Sequence, residues 1–379
     1  MSFLFDGIIS VTPQQWFMYV IGALLIYLAI AKNYEPALLL PMGFGAILVN
    51  LPLSGVLNQT VEGIGETNGI IEWLFKVGIE DAEALPLLLF IGIGAMIDFG
   101  PLLSNPKMFL FGGAAQFGIF AAISIAVLLG FDLKDAAAIG IIGAADGPTA
   151  LLVSQFLKSN YIGPIAVAAY SYMALVPIIQ PIAIRAVTTK KQRMMRMPYN
   201  PKSVSKVTRI LFPIIVTMVA GFVAPMSVSL VGFLMFGNLI RECGVLGTLS
   251  DVAQNILANL VTLLLGITIS FSMVAEHFVR WDTLLIMGLG LVAFTFDTIA
   301  GVLFAKFLNL FMKNKVNPMI GGAGISAFPM SARVVQKMAL KEDPQNHILM
   351  HAVGANVAGQ IASVLAGGMV LYLIPQLIK

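Results

Sequence analysis

The chain has 379 residues, 58% of them hydrophobic and only 11% charged, with a mean hydropathy of +0.92. That apolar share exceeds an ordinary soluble domain's and excludes a soluble enzyme held by one anchor; a net charge of +3 gives no reason to expect a nucleic-acid partner. The single cysteine, Cys243, excludes an internal disulfide and a cysteine metal cluster. Several apolar runs approach the roughly 20 residues that cross a bilayer, so the expected class is an all-α polytopic membrane protein.

In chain order, the first expected span is 16–31, with Trp16 and Tyr19 as interface anchors. Asp6 and the absence of a basic residue before the first apolar run argue against a cleaved signal peptide. A second span is expected over 37–51, then a polar, acidic extramembrane segment over 53–83 with one short amphipathic helix. Membrane elements follow over 85–97 and 108–129, a broken element over 134–157, and one over 162–187 interrupted by Pro177 and Pro181. Arg185, Lys190, Lys191, Arg193, Arg196, Lys202, Lys206 and Arg209 then fall in one acid-free loop, which the positive-inside rule places in the cytoplasm. Further spans over 210–223 and 228–240 close at Arg241 and Glu242.

The broken element carries Gly143-Ala144-Ala145-Asp146-Gly147-Pro148-Thr149-Ala150. A helix through 133–142 should stop near Gly143; Pro148 suits the first turn of a new helix. Asp146 would then stand in an unwound strip, tolerable at membrane depth only where it lines a cavity or is buried in protein. A carboxylate there costs roughly 2.5–3.5 kcal/mol on insertion scales. Asn317-Pro318-Met319-Ile320-Gly321-Gly322-Ala323-Gly324-Ile325-Ser326-Ala327-Phe328-Pro329 repeats the pattern, with Ser326 in the place of Asp146. The order of elements repeats too: 87–93 resembles 263–269, 108–131 matches 284–307, and 166–181 lies opposite 351–366. About 10–12 membrane elements in two inverted repeats are expected, each repeat with a broken or re-entrant helix. The resulting division is 1–84 for the N-terminal spans and acidic segment, 85–188 for the first repeat core, 189–209 for the basic loop, 210–256 for scaffold spans and 257–379 for the second repeat core.

Asp146 is the leading cation ligand and proton carrier: carbonyls at the end of one half-helix favour a cation, and the start of the next favours the ionised carboxylate. A plain N-cap is its other reading. Ser326 and Asn317 offer oxygens that do not titrate, although Asn317 before Pro318 also reads as a helix cap. Tyr170, Ser171 and Tyr172 lie in one apolar run and Asn356 and Gln360 in its counterpart, as ligands or as interhelical hydrogen bonds. Asp297 is a further ion or proton ligand or one partner of a buried pair. Arg333 could neutralise Asp146, hold an anionic group at the cytoplasmic mouth, or be solvated. His347 and His351 have a zinc-compatible spacing, but no acid or cysteine nearby completes a site.

The stretch from Gly143 to Ala150 resembles the signature of the beta subunit of biotin-dependent, sodium-pumping decarboxylases acting on oxaloacetate, glutaconyl-CoA or methylmalonyl-CoA. Tyr170-Ser171-Tyr172-Met173-Ala174-Leu175-Val176-Pro177, the run from Asn317 through Gly321, Ser326, Pro329 and Arg333, and Tyr34-Glu35-Pro36 are similar to further segments of that family. The resemblance implies ion and proton roles for Asp146, Tyr172, Asn317, Gly321 and Ser326 and a functional role for Arg333; on the residues themselves, Asn356 is expected to join the sodium ligands and Arg333 to hold carboxybiotin. It also implies the company of a carboxyltransferase alpha subunit, a biotin carrier protein and a small membrane gamma or delta subunit, a homo-oligomer within that complex, and the bacterial inner membrane. Carboxybiotin would lose CO2 here, consuming a proton, while sodium moves outward. A stand-alone sodium-coupled anion symporter on the same duplicated fold is the rival reading.

Overall fold

A computed structural model describes residues 6–33, 36–61, 65–81, 83–198 and 203–378. Tyr34 and Glu35 of the N-terminal resemblance, Glu62 of the acidic segment and Lys202 of the basic loop lie outside the described residues. The chain is mostly helical, and six described helices are long and apolar enough to cross a membrane.

Helix α1 (Pro13–Lys32) opens on a Thr12–Gln15 capping box and ends at Asn33 in the left-handed conformation. Trp16 is exposed, as an interface anchor would be, but Tyr19 donates inward to the Asn50 carbonyl at 2.7 Å. Helix α2 is Pro36–Val49. The acidic segment holds the expected short helix, α3 (Ile70–Phe75), and before it a strand pair that the all-α class did not foresee: Asn58–Val61 (β1) and Gly65–Asn68 (β2) run antiparallel. The β-branched and polar residues of Gln59, Thr60, Val61 and Thr67 suit a two-stranded ribbon outside the bilayer, a signal that its acidic composition obscured.

Helix α4 is Ala84–Met96, and α5 (Phe109–Ala114) and α6 (Phe117–Leu128) form one span interrupted at Ala115 and Gln116. The first broken element is α7 (Leu133–Gly140), a tight turn Ile141–Ala144, and α8 (Gly147–Phe156). Helix α9 (Ile162–Ala186) bends by 71° between Met173 and Leu175. Pro177 explains the place, because it cannot donate to the Met173 carbonyl and its ring clashes there. Helices α10 (Lys206–Val223), α11 (Val228–Glu242), α12 (Ala258–Ile269) and α13 (Trp281–Phe311) follow. The second broken element is α14 (Met319–Gly322), an irregular strip, and α15 (Met330–Glu342); α16 (Leu349–Leu377) closes the chain. The new helix opens four residues after Ser326, so Ser326 does not cap it as Asp146 caps α8.

Two apolar clusters organise these elements. The larger surrounds both breaks; the smaller joins α1, α2, α4 and α12 to one face of α9. The basic loop folds back on the end of α15. Arg193 pairs with Glu342 at 2.8 Å and Arg196 grips both oxygens of Asp343 at 2.6 and 3.0 Å. These hydrogen bonds to arginine hold both carboxyls below their usual range.

Candidate functional site

The first break is built by local sequence. Ala145 takes the left-handed conformation (φ 52), the chain turns extended at Asp146, and the helix restarts at Gly147 with Pro148 in its first turn. Asp146 caps α8: Oδ1 accepts the Thr149 N–H at 3.4 Å and Oδ2 the Thr149 hydroxyl at 2.9 Å. Helix α16 completes the shell, with Gln360 Nε2 donating to Oδ2 at 3.2 Å and Ser363 Oγ at 3.0 Å. Asp146 is only 3% exposed, and no cationic side chain is paired with it among the described residues. The ring of Tyr170 packs against Gly147, where a Cβ would come within 2.3 Å of Cε1. Any side chain there would push the tyrosine or the strip out of place.

The second break crosses the first. The Ser326 N–H donates to the Ala144 carbonyl at 3.1 Å, so the two unwound strips are hydrogen-bonded to each other. Ser326 Oγ donates to the Gly359 carbonyl at 3.3 Å, and Asn356 Nδ2 to the Ile325 carbonyl at 2.6 Å. Asn356, Gln360 and Ser363 recur at helical spacing. One face of α16 therefore holds the second strip with Asn356 and Gly359 and the Asp146 carboxylate with Gln360 and Ser363. Asn356 Oδ1 remains buried without a partner. Asp146, Ser326 and Asn356 are thus brought into one polar seam, all 3% exposed or less.

Other sequence-predicted residues are elsewhere. Asn317 caps α14: Oδ1 accepts the Met319 N–H at 3.0 Å, and Nδ2 donates to the carbonyls of Arg193 and Met195 at 3.0 and 2.8 Å. It ties the second break to the basic loop and shares no partner with Asp146, so the cap reading describes it here. Gly321 packs against Gly301, each carbonyl about where the other's Cβ would stand, at 2.0 and 2.1 Å, and the Gly321 carbonyl accepts from Gly324 N–H. Its place is a close helix crossing rather than an open carbonyl in the seam. Tyr172 is beside the α9 bend and donates to the Met287 carbonyl, not to Asp146. Arg333 is exposed and has no side-chain partner among the described residues, so it does not neutralise Asp146. With Lys337 and Lys341 it forms an exposed cationic stripe along α15. Asp297 has no basic partner among the described residues, which rules out the buried ion pair in this arrangement.

Thr149, Tyr170, Gln360 and Ser363 are the members of the seam that the leading assignments left out. Asp-x-x-Thr is a capping spacing, which pointed to Thr149. Ser363 lies one turn beyond Gln360 on the Asn356 face, a weak pointer on its own.

The family model of the Na+-transporting oxaloacetate decarboxylase beta subunit matches residues 14–374. The chain belongs to this family. It is 47% identical to the methylmalonyl-CoA decarboxylase subunit beta of Propionigenium modestum, over 94% of each chain. It is 44% identical to oxaloacetate decarboxylase beta chain 2 of Salmonella typhi over 96% of each, and 46% identical to the methylmalonyl-CoA decarboxylase subunit beta of Veillonella parvula over 97% of this chain and 95% of the other. A multi-pass beta subunit of a sodium-transporting decarboxylase accounts for the membrane helices and for a polar seam with an acid at its centre.

Proposed function

We propose that this chain is the membrane subunit of a biotin-dependent decarboxylase complex in the bacterial inner membrane, and that it couples proton-consuming decarboxylation of carboxybiotin to outward sodium transport. One observation carries the reading: Asp146 is buried at the crossing of two broken helices, held by hydroxyl and amide groups and, among the described residues, by no cation. A buried carboxylate without a paired charge is stable only when a proton or a metal cation neutralises it. The oxygens to share a hard cation are close by in the Thr149 and Ser363 hydroxyls, which donate here but can turn their lone pairs to an ion, and in the seam's Ser326 and unpartnered Asn356 Oδ1. Sodium and a proton therefore compete for Asp146.

The other parts fit this exchange. Decarboxylation removes a proton on the cytoplasmic side, and Asp146 supplies it as sodium takes its place. Reprotonation from outside expels the sodium. Moving a charge against the membrane potential costs about 2.3 kcal/mol per 100 mV, so the step must be tied to an exergonic one. Arg333, Lys337 and Lys341 present unneutralised cations on the face that also carries the basic loop, a suitable landing for the carboxylate of carboxybiotin and an acidic carrier surface. Tyr172 at the α9 bend is positioned to couple helix bending to α13 through Met287. Asn317 and Gly321 act by fixing α14 against the loop and α13. Partners would be a carboxyltransferase alpha subunit, a biotin carrier and a small membrane gamma or delta subunit, with several copies of this chain per complex.

Helix packing supports a duplicated build, and the inverted sense of the two halves is part of this proposal. Gly112 on α5 meets the α16 backbone at Ala358, and Gly290 on α13 meets Tyr172 on α9. In the repeat alignment α5 corresponds to α13 and α9 to α16, so helices that correspond pack together in both halves. The decisive experiment is sodium-22 uptake by vesicles holding the purified complex, with and without avidin. Avidin-sensitive uptake driven by the acid substrate, lost in Asp146→Asn, is expected; avidin-resistant uptake, or a fully active Asp146→Asn complex, would overturn the reading.

A further inference from the structure

Asp297 is an acid to which the exchange at Asp146 gives no task. It stands midway along α13 and is fully buried. Its Oδ1 accepts the N–H of Gly118, at the start of α6 just beyond the interruption of that span, and the neighbouring Ile119 N–H is directed at the same carboxyl group. The carboxyl thus caps a helix on another element, where free N–H groups and the positive end of the helix favour an oxygen. Its Oδ2 has no hydrogen-bond partner. That oxygen faces the tight turn of the first break: a Cβ built on Gly143 would lie 2.9 Å from it.

Among the described residues, the surroundings supply no counter-charge. Helices α5 and α6, the turn Ile141–Ala144 and α14 carry no charged side chain. On α7, Asp135 is taken up by Ser159 and Asn160, and Lys134 stands more than two turns before Gly143. On α13 itself, Lys306 donates to the Val187 carbonyl and Asp282 lies in the first turn, opposite Tyr161. An ionised Asp297 in this state would keep one oxygen without a protein donor in a fully buried site, which disfavours the charged form. A metal ion has no ligand set there either, since backbone amides hold the one oxygen and nothing shares the other. A proton needs no further ligand.

We infer that Asp297 is a second proton-binding site of the transport core, protonated on Oδ2 in the arrangement seen here and releasing that proton when the adjacent break takes up its cation. The coupling runs through one turn: Gly143 touches Asp297, and Ala144 accepts from Ser326 at the crossing. A cation drawn to the seam stabilises negative charge on Asp297 and displaces the turn against it; by linkage, a proton on Asp297 weakens cation binding by the same factor. The identity of the cation as sodium rests on the function proposed above.

The test is proton release on sodium addition to the purified complex in weakly buffered detergent solution, read with a pH indicator dye, together with the infrared difference spectrum in the carboxylic acid region. Asp297→Asn keeps an oxygen for the α6 cap and nearly the same volume but cannot titrate. Wild type should release about two protons per cation-binding unit and Asp297→Asn about one, with loss of one protonated-carboxyl band from the sodium-minus-potassium spectrum. Equal release from both, with the same spectrum, overturns the inference. If the variant does not assemble, wild type decides: carbonyl intensity of two buried acids must disappear on adding sodium, and intensity of one or none overturns the inference. A complex lacking avidin-sensitive sodium uptake would refute the proposed function while leaving this cation-linked release measurable.

Discussion

Ser363 offers the sharpest test of how the Asp146 shell works. Its Oγ donates to Asp146 Oδ2 at 3.0 Å from a site with no exposed surface, so water cannot replace it in Ser363→Ala. A hydrogen bond to a charged group contributes about 1.5–3 kcal/mol. At 1.4 kcal/mol per factor of ten, losing it should weaken the sodium-loaded form relative to the protonated one by roughly 10- to 150-fold. The substitution removes one oxygen from a seam that keeps Thr149 and Gln360, so the maximal rate at saturating sodium should survive. The assay is decarboxylation by the reconstituted complex at fixed pH, titrated with sodium. Half-saturating sodium should rise by at least about tenfold, with more of the rise at lower pH, where protons compete harder. A half-saturating concentration within roughly twofold of wild type at every pH, with Ser363→Ala fully folded, would show that Asp146 is a structural cap and not the exchange site.

Three further outcomes follow from the same geometry. Gly321→Ala places a Cβ 2.0 Å from the Gly301 carbonyl, a clash with backbone that side-chain rotation cannot relieve; overpacking of about 1–3 kcal/mol or more should lower the thermal midpoint of the detergent-solubilised protein, and Gly301→Ala should do the same. Burial pushes the Glu83 carboxyl, in the turn before α4, from 4.5 up to about 7; the folded state binds its proton more tightly than the unfolded one, so stability falls as pH rises from about 4.5 to about 7. Glu83→Gln should flatten that part of the thermal midpoint against pH and be the more stable protein above pH 7. Glu342 and Asp343 have the opposite sign: their pairing with Arg193 and Arg196 stabilises the clasp of the basic loop above their ordinary values of 4.5 and 3.8 and is lost as pH falls through the depressed ones. Pepsin cleavage in 188–198 should therefore increase only at strongly acid pH in wild type, and at higher pH as well in a Glu342→Gln, Asp343→Asn variant.

Composition and local chemistry determined much about this protein. An apolar chain with few charges can satisfy its backbone in a bilayer only as helices, and the glycine, aspartate and proline around Asp146 dictate where one of them breaks and which residue caps its continuation. Pro177 likewise sets the bend in α9. Those are short-range effects, legible because each depends on a residue's own backbone freedom or its missing N–H. What only the tertiary structure decided is which distant groups meet. Whether Asn317 reaches the acid or the basic loop, whether Tyr170 or Tyr172 lies against the strip, and that Ser363 completes the shell all depend on the azimuth and depth at which α9, α14 and α16 pack. A single residue of helical rotation, 100°, exchanges one neighbour for another without changing the apolar pattern. The strand pair in the acidic segment is hard to read in the sequence for a related reason: pairing between Asn58–Val61 and Gly65–Asn68 is a cross-strand relation, and a short polar stretch carries little of the alternation that announces it.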